Sequence, residues 1–309
     1  MDKKTDSALQ YRHYLAPKYW PMWIAISSLR LAVYLPRSAM SVLGTIVGVL
    51  IYHAAPYRRR IAKINIKQAF PNFTENEVDA LVKKNFQNIG ISFFETSMAW
   101  FEKNHVLKER CQIEGKENLD KALAKNKPVL LLTGHIAPLE MGGRLISFYC
   151  ESTNVVYKKA SNPLFNAFMI KSRKTHVNEI VDNKNVRGII RGLKQGNATW
   201  FAPDQDFKHQ DIVFTPFLGG IASTLTATAK LARITKASVV PFYPVRLEKN
   251  KGFKLIVLPA LEDFPTLDIE ADSARVNKVI EDMVYQQPDQ YLWSHKRFKT
   301  QPDGRSIYP

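Results

Sequence analysis

Apolar and polar positions fall into three textures along the chain. From Trp20 to Tyr52 the sequence is strongly apolar, with Arg30 and Arg37 as its only charges and Pro21 and Pro36 as breakers. This predicts two helical pieces, Met22 to Leu35 and Ser38 to Tyr52, each shorter than the ~20 residues a spanning helix needs. Tyr19, Trp20, Trp23, Tyr34 and Tyr52 sit near the edges of these pieces, as suits a membrane headgroup zone. Basic residues flank the segment, with Lys3, Lys4, Arg12 and Lys18 before it and Arg58, Arg59, Arg60, Lys63 and Lys67 after it. Residues 1–56 are therefore expected to form a membrane-anchoring hairpin or interfacial helix pair with both ends on an anionic surface. A buried pair of core helices is the competing reading on length grounds. The segment is too long for a signal peptide and has no small-residue cleavage site.

Residues 57–110 read as a helical preface. Phe70-Pro71 ends one helix, and Thr74 with Glu77 three residues later forms a capping box that opens the next. Its apolar period runs through Val82, Phe86 and Ile89 toward Trp100, with Gly90 an internal weak point. After about Cys111 the texture changes to strand and helix in alternation. β-rich runs occur at Pro128 to Thr133, Thr153 to Tyr157, Asn197 to Ala202, Ala237 to Val245 and Phe253 to Leu258. Helical patterns lie at Leu139 to Phe148, Pro163 to Lys174, Val186 to Lys194, Ser223 to Ile234 and finally Ser273 to Gln286. Residues 111–309 are thus expected to be an α/β body, a mostly parallel mixed sheet covered by helices, with the preface packed on it.

Composition adds one constraint. Hydrophobic residues make up 45% and charged residues 23%, which excludes a disordered or fibrous chain. The net charge of +16, however, calls for an acidic partner: nucleic acid, anionic lipid or an acidic carrier protein. No RNA-binding consensus, zinc finger or basic zipper accompanies the basic residues, so nucleic acid is disfavoured. Two cysteines, Cys111 and Cys150, show neither metal spacing nor a disulfide framework. The scattered histidines give no support to a metal site.

Chemistry is concentrated where the Val129 run ends in Thr133-Gly134-His135 and is followed by Pro138, Glu140, Gly142, Gly143 and Arg144. Gly134 allows a tight turn and Pro138 suits a helix start, so His135 is placed at the carboxyl end of a strand, where open α/β sheets hold ligands. On one continuous helix, positions five apart diverge by about 140°. With His135 on the loop and Glu140 in the first helical turn they can meet, and Glu140 is expected to hold the imidazole in one tautomer. The imidazole would then take a proton from a hydroxyl attacking a thioester. The substrate supplies the nucleophile, and a Gly-x-Ser-x-Gly elbow is absent.

The His-x4-Glu at His135 and Glu140 resembles the first block of the lysophospholipid and glycerolipid acyltransferase superfamily, whose usual form is His-x4-Asp. The wider match is to the late lipid A acyltransferases. It runs through Pro17 to Trp20, Glu95 to Phe101, Gly134 to Arg144, Asn162-Pro163 with Arg173, Trp200 to Asp206, Pro216-Phe217 and Gln290 to Thr300. The resemblance implies transfer of an acyl chain from acyl carrier protein, a co-substrate with no further cofactor, to an anionic Kdo-bearing lipid A precursor. It places the enzyme on the cytoplasmic face of the inner membrane, and both partners answer the positive charge. Arg173 falls where the superfamily's second block carries a basic substrate-binding residue. Asp204, Gln205 and Asp206 stand where glycerolipid enzymes have Glu-Gly-Thr-Arg, a departure that favours a sugar-bearing acceptor over glycerol phosphate. Arg144 and Lys158 are weaker candidates for acceptor charge, and Arg297 and Lys299 for lipid or carrier contact.

Two other readings remain open at this level. One is acylation of a different membrane lipid, such as a lysophospholipid or a glycosylated phosphatidylinositol; the other is a non-catalytic lipid-binding or carrier-docking protein. Water in place of the acceptor would also allow thioester hydrolysis at the same base.

Overall fold

The computed structural model describes residues 11–309 except 126, 209 and 210; Lys3 and Lys4 lie outside the described residues. The apolar segment folds as α1 (Trp20–Ala32) and α2 (Arg37–Ala54), separated at Pro36, which lacks the N–H a continuing helix would need. α3 (Pro56–Ala69) follows, then the long α4 (Glu75–Phe101). The start of α4 is the expected capping box: Thr74 Oγ1 accepts from Glu77 N at 3.3 Å, and Thr74 N donates to Glu77 Oε2 at 2.8 Å.

α2 lies on α4 through glycines. A Cβ on Gly90 would run into the Gly44 carbonyl and the Gly48 amide, so the backbones approach to a distance that admits no side chain. Gly90, read from sequence as a weak point in a helix, is the contact that lets two helices meet. Away from α4, α1 and α2 expose apolar side chains: Trp20, Ile24 and Leu31 from α1, Tyr34 from the turn after it, and Val42, Leu43, Ile46 and Leu50 from α2.

After α5 (Asn104–Glu109) come β1 (Cys111–Glu114), α6 (Lys116–Leu123), β2 (Val129–Leu132), α7 (Leu139–Ile146), β3 (Thr153–Tyr157), α8 (Pro163–Arg173), β4 (Glu179–Asp182), α9 (Val186–Lys194) and β5 (Ala198–Phe201). The chain continues with β6 (Ile212–Phe217), β7 (Gly220–Leu225), α10 (Ala227–Thr235), β8 (Ser238–Arg246), β9 (Phe253–Val257) and α11 (Ile269–Gln286). Seven strands form one sheet in the order β1-β9-β8-β2-β5-β3-β4, parallel throughout except for the antiparallel β8–β9 pair. β6 and β7 form a separate antiparallel hairpin, where the sequence pattern had the α10 helix beginning already at Ser223.

β2 is buried on both sides, as its unbroken apolar run requires. Leu130 and Leu132 face a layer with Ile189, Leu193, Leu231 and Ile280, while Val129 and Leu131 face another with Met141, Leu145 and Leu164. α4 is fastened to the body by polar contacts. Asn85 Nδ2 donates to Tyr291 O at 2.7 Å, and Arg246 at the end of β8 pairs with Glu95 at 2.5 and 2.6 Å.

Candidate active site

The carboxyl ends of β2 and β5 are adjacent, and the site is built from the loops that leave them. Thr133 N donates to Phe201 O at 3.1 Å, carrying the pairing one residue past β2. At Gly134 a Cβ would lie 2.7 Å from Ile280 of α11, so only glycine fits before the turn that presents His135. A C-terminal segment straps this turn from the other side. Ala137 N donates to Gln290 O at 2.7 Å, and Leu292 N donates to His135 O at 3.1 Å.

Asp204, in the loop after β5, takes both donors of His135. Its Oδ2 accepts the His135 backbone N–H at 2.8 Å, and its Oδ1 lies 2.5 Å from Nδ1. Burial pulls the His135 imidazole toward the neutral form, but the Asp204 charge and hydrogen bond outweigh it, and the pKa is raised above the ordinary value. Burial likewise opposes ionisation of Asp204, yet His135, and more remotely Arg297, hold its carboxyl below the usual range. Asp204 is an ionised acceptor, so in the neutral ring Nδ1 carries the proton and Nε2 presents the lone pair. That atom lies 3.1 Å from Gln205 Nε2. The ring is 23% exposed and borders an apolar cavity of about 230 Å³ lined by Ile89, Ser92 and Thr96 of α4, Leu139 and Met141 of α7, and Leu292. A larger cleft of about 810 Å³, flanked by Lys121, Lys125, Lys127 and Lys236, opens near the amino ends of β2 and β8, at the opposite edge of the sheet.

Glu140 does not hold His135, and this corrects the expectation drawn from their spacing. Glu140 enters the first turn of α7 facing α4 and α8. There Trp100 Nε1 donates to its Oε2 at 2.8 Å, Arg173 Nε donates to the same atom at 3.1 Å, and Arg173 Nη2 pairs with Oε1. A carboxylate buried at this depth needs a cation, which Arg173 supplies bidentately, while both donors of His135 are already taken by Asp204. Burial raises and Arg173 lowers the Glu140 pKa, with a net lowering. Arg173 is 8% exposed and lies over the Trp200 ring, so it presents no open guanidinium for a phosphate or a carbonyl.

The remaining candidates separate. Asp206 accepts from Thr300 N at 3.0 Å and Thr300 Oγ1 at 3.1 Å, bracing its loop to the C-terminal segment. Arg144 is buried, bonded to Asn104 and placed over Phe148. Lys158 is exposed just after β3, on the same sheet edge as His135 but without a contact to it. Arg297, expected at a lipid or carrier contact, is instead 2% exposed and donates to Ser223 O at 2.6 Å. The structure thus brings His135, Asp204 and Gln205 together. It adds Trp100 and Tyr291, which lay inside the runs Glu95 to Phe101 and Gln290 to Thr300 but carried no signal of their own, and it moves Arg297 from a lipid or carrier contact to the buried surroundings of Asp204.

A neutral imidazole beside an apolar cavity, with one nitrogen tied to a buried carboxylate and the other left as a proton acceptor, is an arrangement suited to proton abstraction from a hydroxyl. The chain's relatives carry this from chemistry to class. The family described as bacterial lipid A biosynthesis acyltransferase matches residues 9–300. A lipid A biosynthesis lauroyltransferase of Escherichia coli (strain K12) is 36% identical over 292 residues, 94% of this chain and 95% of that one. A lipid A biosynthesis palmitoleoyltransferase of the same organism is 34% identical over 297 residues, 96% of each. A lipid A biosynthesis acyltransferase of Haemophilus influenzae is 31% identical over 310 residues, 98% of each. The protein is an acyltransferase. It belongs to the bacterial lipid A biosynthesis acyltransferase family.

Proposed function

We propose that this lipid A acyltransferase moves a fatty acyl chain from an acyl carrier protein thioester to a hydroxyl of a Kdo-bearing lipid A precursor, with His135 as general base. The observation that carries the reading is the His135–Asp204 pair, which leaves Nε2, met by Gln205 at 3.1 Å, as the ring's proton acceptor on a residue bordering the apolar cavity. Nε2 takes the proton of the acceptor hydroxyl as its oxygen bonds to the thioester carbonyl carbon. The C–S bond then breaks, and the imidazolium returns the proton to the departing sulfur. Asp204 fixes the tautomer and stabilises the imidazolium. The cavity takes the acyl chain, where each buried methylene contributes about 0.8 kcal/mol.

Membrane attachment is assigned to the exposed apolar face of α1 and α2. α2 is long and apolar enough to cross a bilayer by composition. Its Met40, Gly44 and Gly48 face is buried, and the glycines lie against α4, whose polar residues are bonded to the body. That one-sided packing favours an interfacial seat on the cytoplasmic face of the inner membrane over a free span. The net charge of +16 suits both the acidic carrier and the anionic acceptor.

The test is incubation of purified enzyme with acyl carriers of several chain lengths and defined lipid A precursors, read by mass spectrometry. His135→Ala should lower transfer by about 10²- to 10⁴-fold, with circular dichroism and vesicle binding unchanged. Near-normal turnover of that variant would refute the reading.

A further inference from the structure

A neutral imidazole has one proton and one lone pair to place. With the Asp204 carboxylate on Nδ1, the lone pair of His135 sits on Nε2, and Gln205 Nε2 faces it at 3.1 Å. A lone pair is satisfied only by the N–H end of the amide, so Gln205 is the donor in this contact. The acceptor hydroxyl needs that same lone pair to surrender its proton. Amide and hydroxyl therefore compete for one position.

We propose that Gln205 is a positioning residue that caps the base in the free enzyme and gives way to the acceptor hydroxyl, which keeps water from opening the thioester before the acceptor arrives. This inference rests on His135 being the base. Hydrolysis would follow the route of transfer: the water oxygen bonds to the carbonyl carbon, its proton passes to Nε2, and the C–S bond breaks. The sulfur leaves with the imidazolium proton, giving a fatty acid and a free thiol. A water that displaces the amide gains one hydrogen bond for the one it removes. The acceptor lipid brings the binding free energy of its whole body to the same exchange. The cap thus discriminates between two hydroxyls that the imidazole alone treats alike.

The cap also has an electrostatic signature. An N–H donated to Nε2 favours the neutral ring and so opposes the effect of Asp204. The other titratable or charged groups around the ring are Glu140 on α7, itself paired with Arg173, and Tyr291, His295 and Arg297 on the C-terminal segment. From α4 the cavity receives Ile89, Ser92 and Thr96, none of which carries a charge.

The experiment uses full-length Gln205→Ala and Gln205→Leu with acyl–acyl carrier proteins of several chain lengths. Fatty acid release without acceptor is measured against transfer with acceptor, together with the pH profile of kcat/KM. The ratio of hydrolysis to transfer should rise about tenfold in Gln205→Ala, and the inflection should move up by about half a unit to one unit in Gln205→Leu. Gln205→Asn, which retains the amide one methylene short, should fall between these variants and wild type. Gln205→Leu preserves volume, so its profile decides the matter where the alanine variant is unstable. A wild-type ratio or a wild-type inflection would overturn the cap. His135→Ala separates the two failures: if it is inactive while the Gln205 variants are unchanged, only the cap falls; if it is active, the base assignment falls.

Discussion

His135–Asp204 and Glu140–Arg173 each join a buried carboxylate to a nitrogen base beside one cavity, yet they end differently. Arg173 meets Glu140 with two nitrogens, and Trp100 adds a third donor, so the carboxylate is satisfied and its cation is buried. Asp204 takes only one nitrogen of His135 together with its backbone N–H, leaving Nε2 for other business on a ring that is 23% exposed. The Glu140–Arg173 couple is closed and joins three helices: α4 through Trp100, α7 through Glu140 and α8 through Arg173. The His135–Asp204 couple is open and has a proton to move. Nearness to a histidine in sequence thus says little about which carboxylate holds it.

Substitutions should separate the couples. Asp204→Asn keeps the shape but removes the charge and the tautomer preference, and should lower kcat by about 10²- to 10⁴-fold, measured by steady-state transfer. Glu140→Ala should act first on stability. It leaves the Arg173 guanidinium buried without a counter-ion, at a cost of about 3–5 kcal/mol, seen as a lower midpoint in chemical denaturation. Replacing both partners with apolar residues of similar volume, Glu140→Leu with Arg173→Met, should recover most of that loss. A smaller effect is expected from Gly90→Ala, which forces α2 off α4 and should cost about 1–3 kcal/mol, with weaker vesicle binding as the helix pair loosens.

The sequence displayed the site's position better than its wiring. Unbroken apolar strands, the Gly134 turn and the α7 start placed His135 at the sheet edge, because those features depend on neighbours close in the chain. The Asp204 contact joins residues 69 apart and exists only because β2 and β5 lie side by side. The order of strands in a parallel sheet is not written in any local pattern. β7 was hidden for a related reason. Ser223 and Thr224 read as a helix start, but Arg297 and Asn277 bond them from the far end of the chain, with Asn277 Nδ2 at 2.8 Å from Thr224 Oγ1. Arg297 itself looked like surface because a basic run of Lys296 to Lys299 usually is. Here the tertiary fold buries its second member against the hairpin.

The most direct measurement is the pH dependence of kcat/KM for wild type, Asp204→Asn and Glu140→Gln in parallel. His135 must be neutral to accept a proton, so activity rises with pH. Its raised pKa places the wild-type inflection above the ordinary histidine value of 6.5. Removing the Asp204 charge should move that inflection downward, and Glu140→Gln should leave it in place. An inflection that follows Glu140 and ignores Asp204 would contradict the assignment of the two couples.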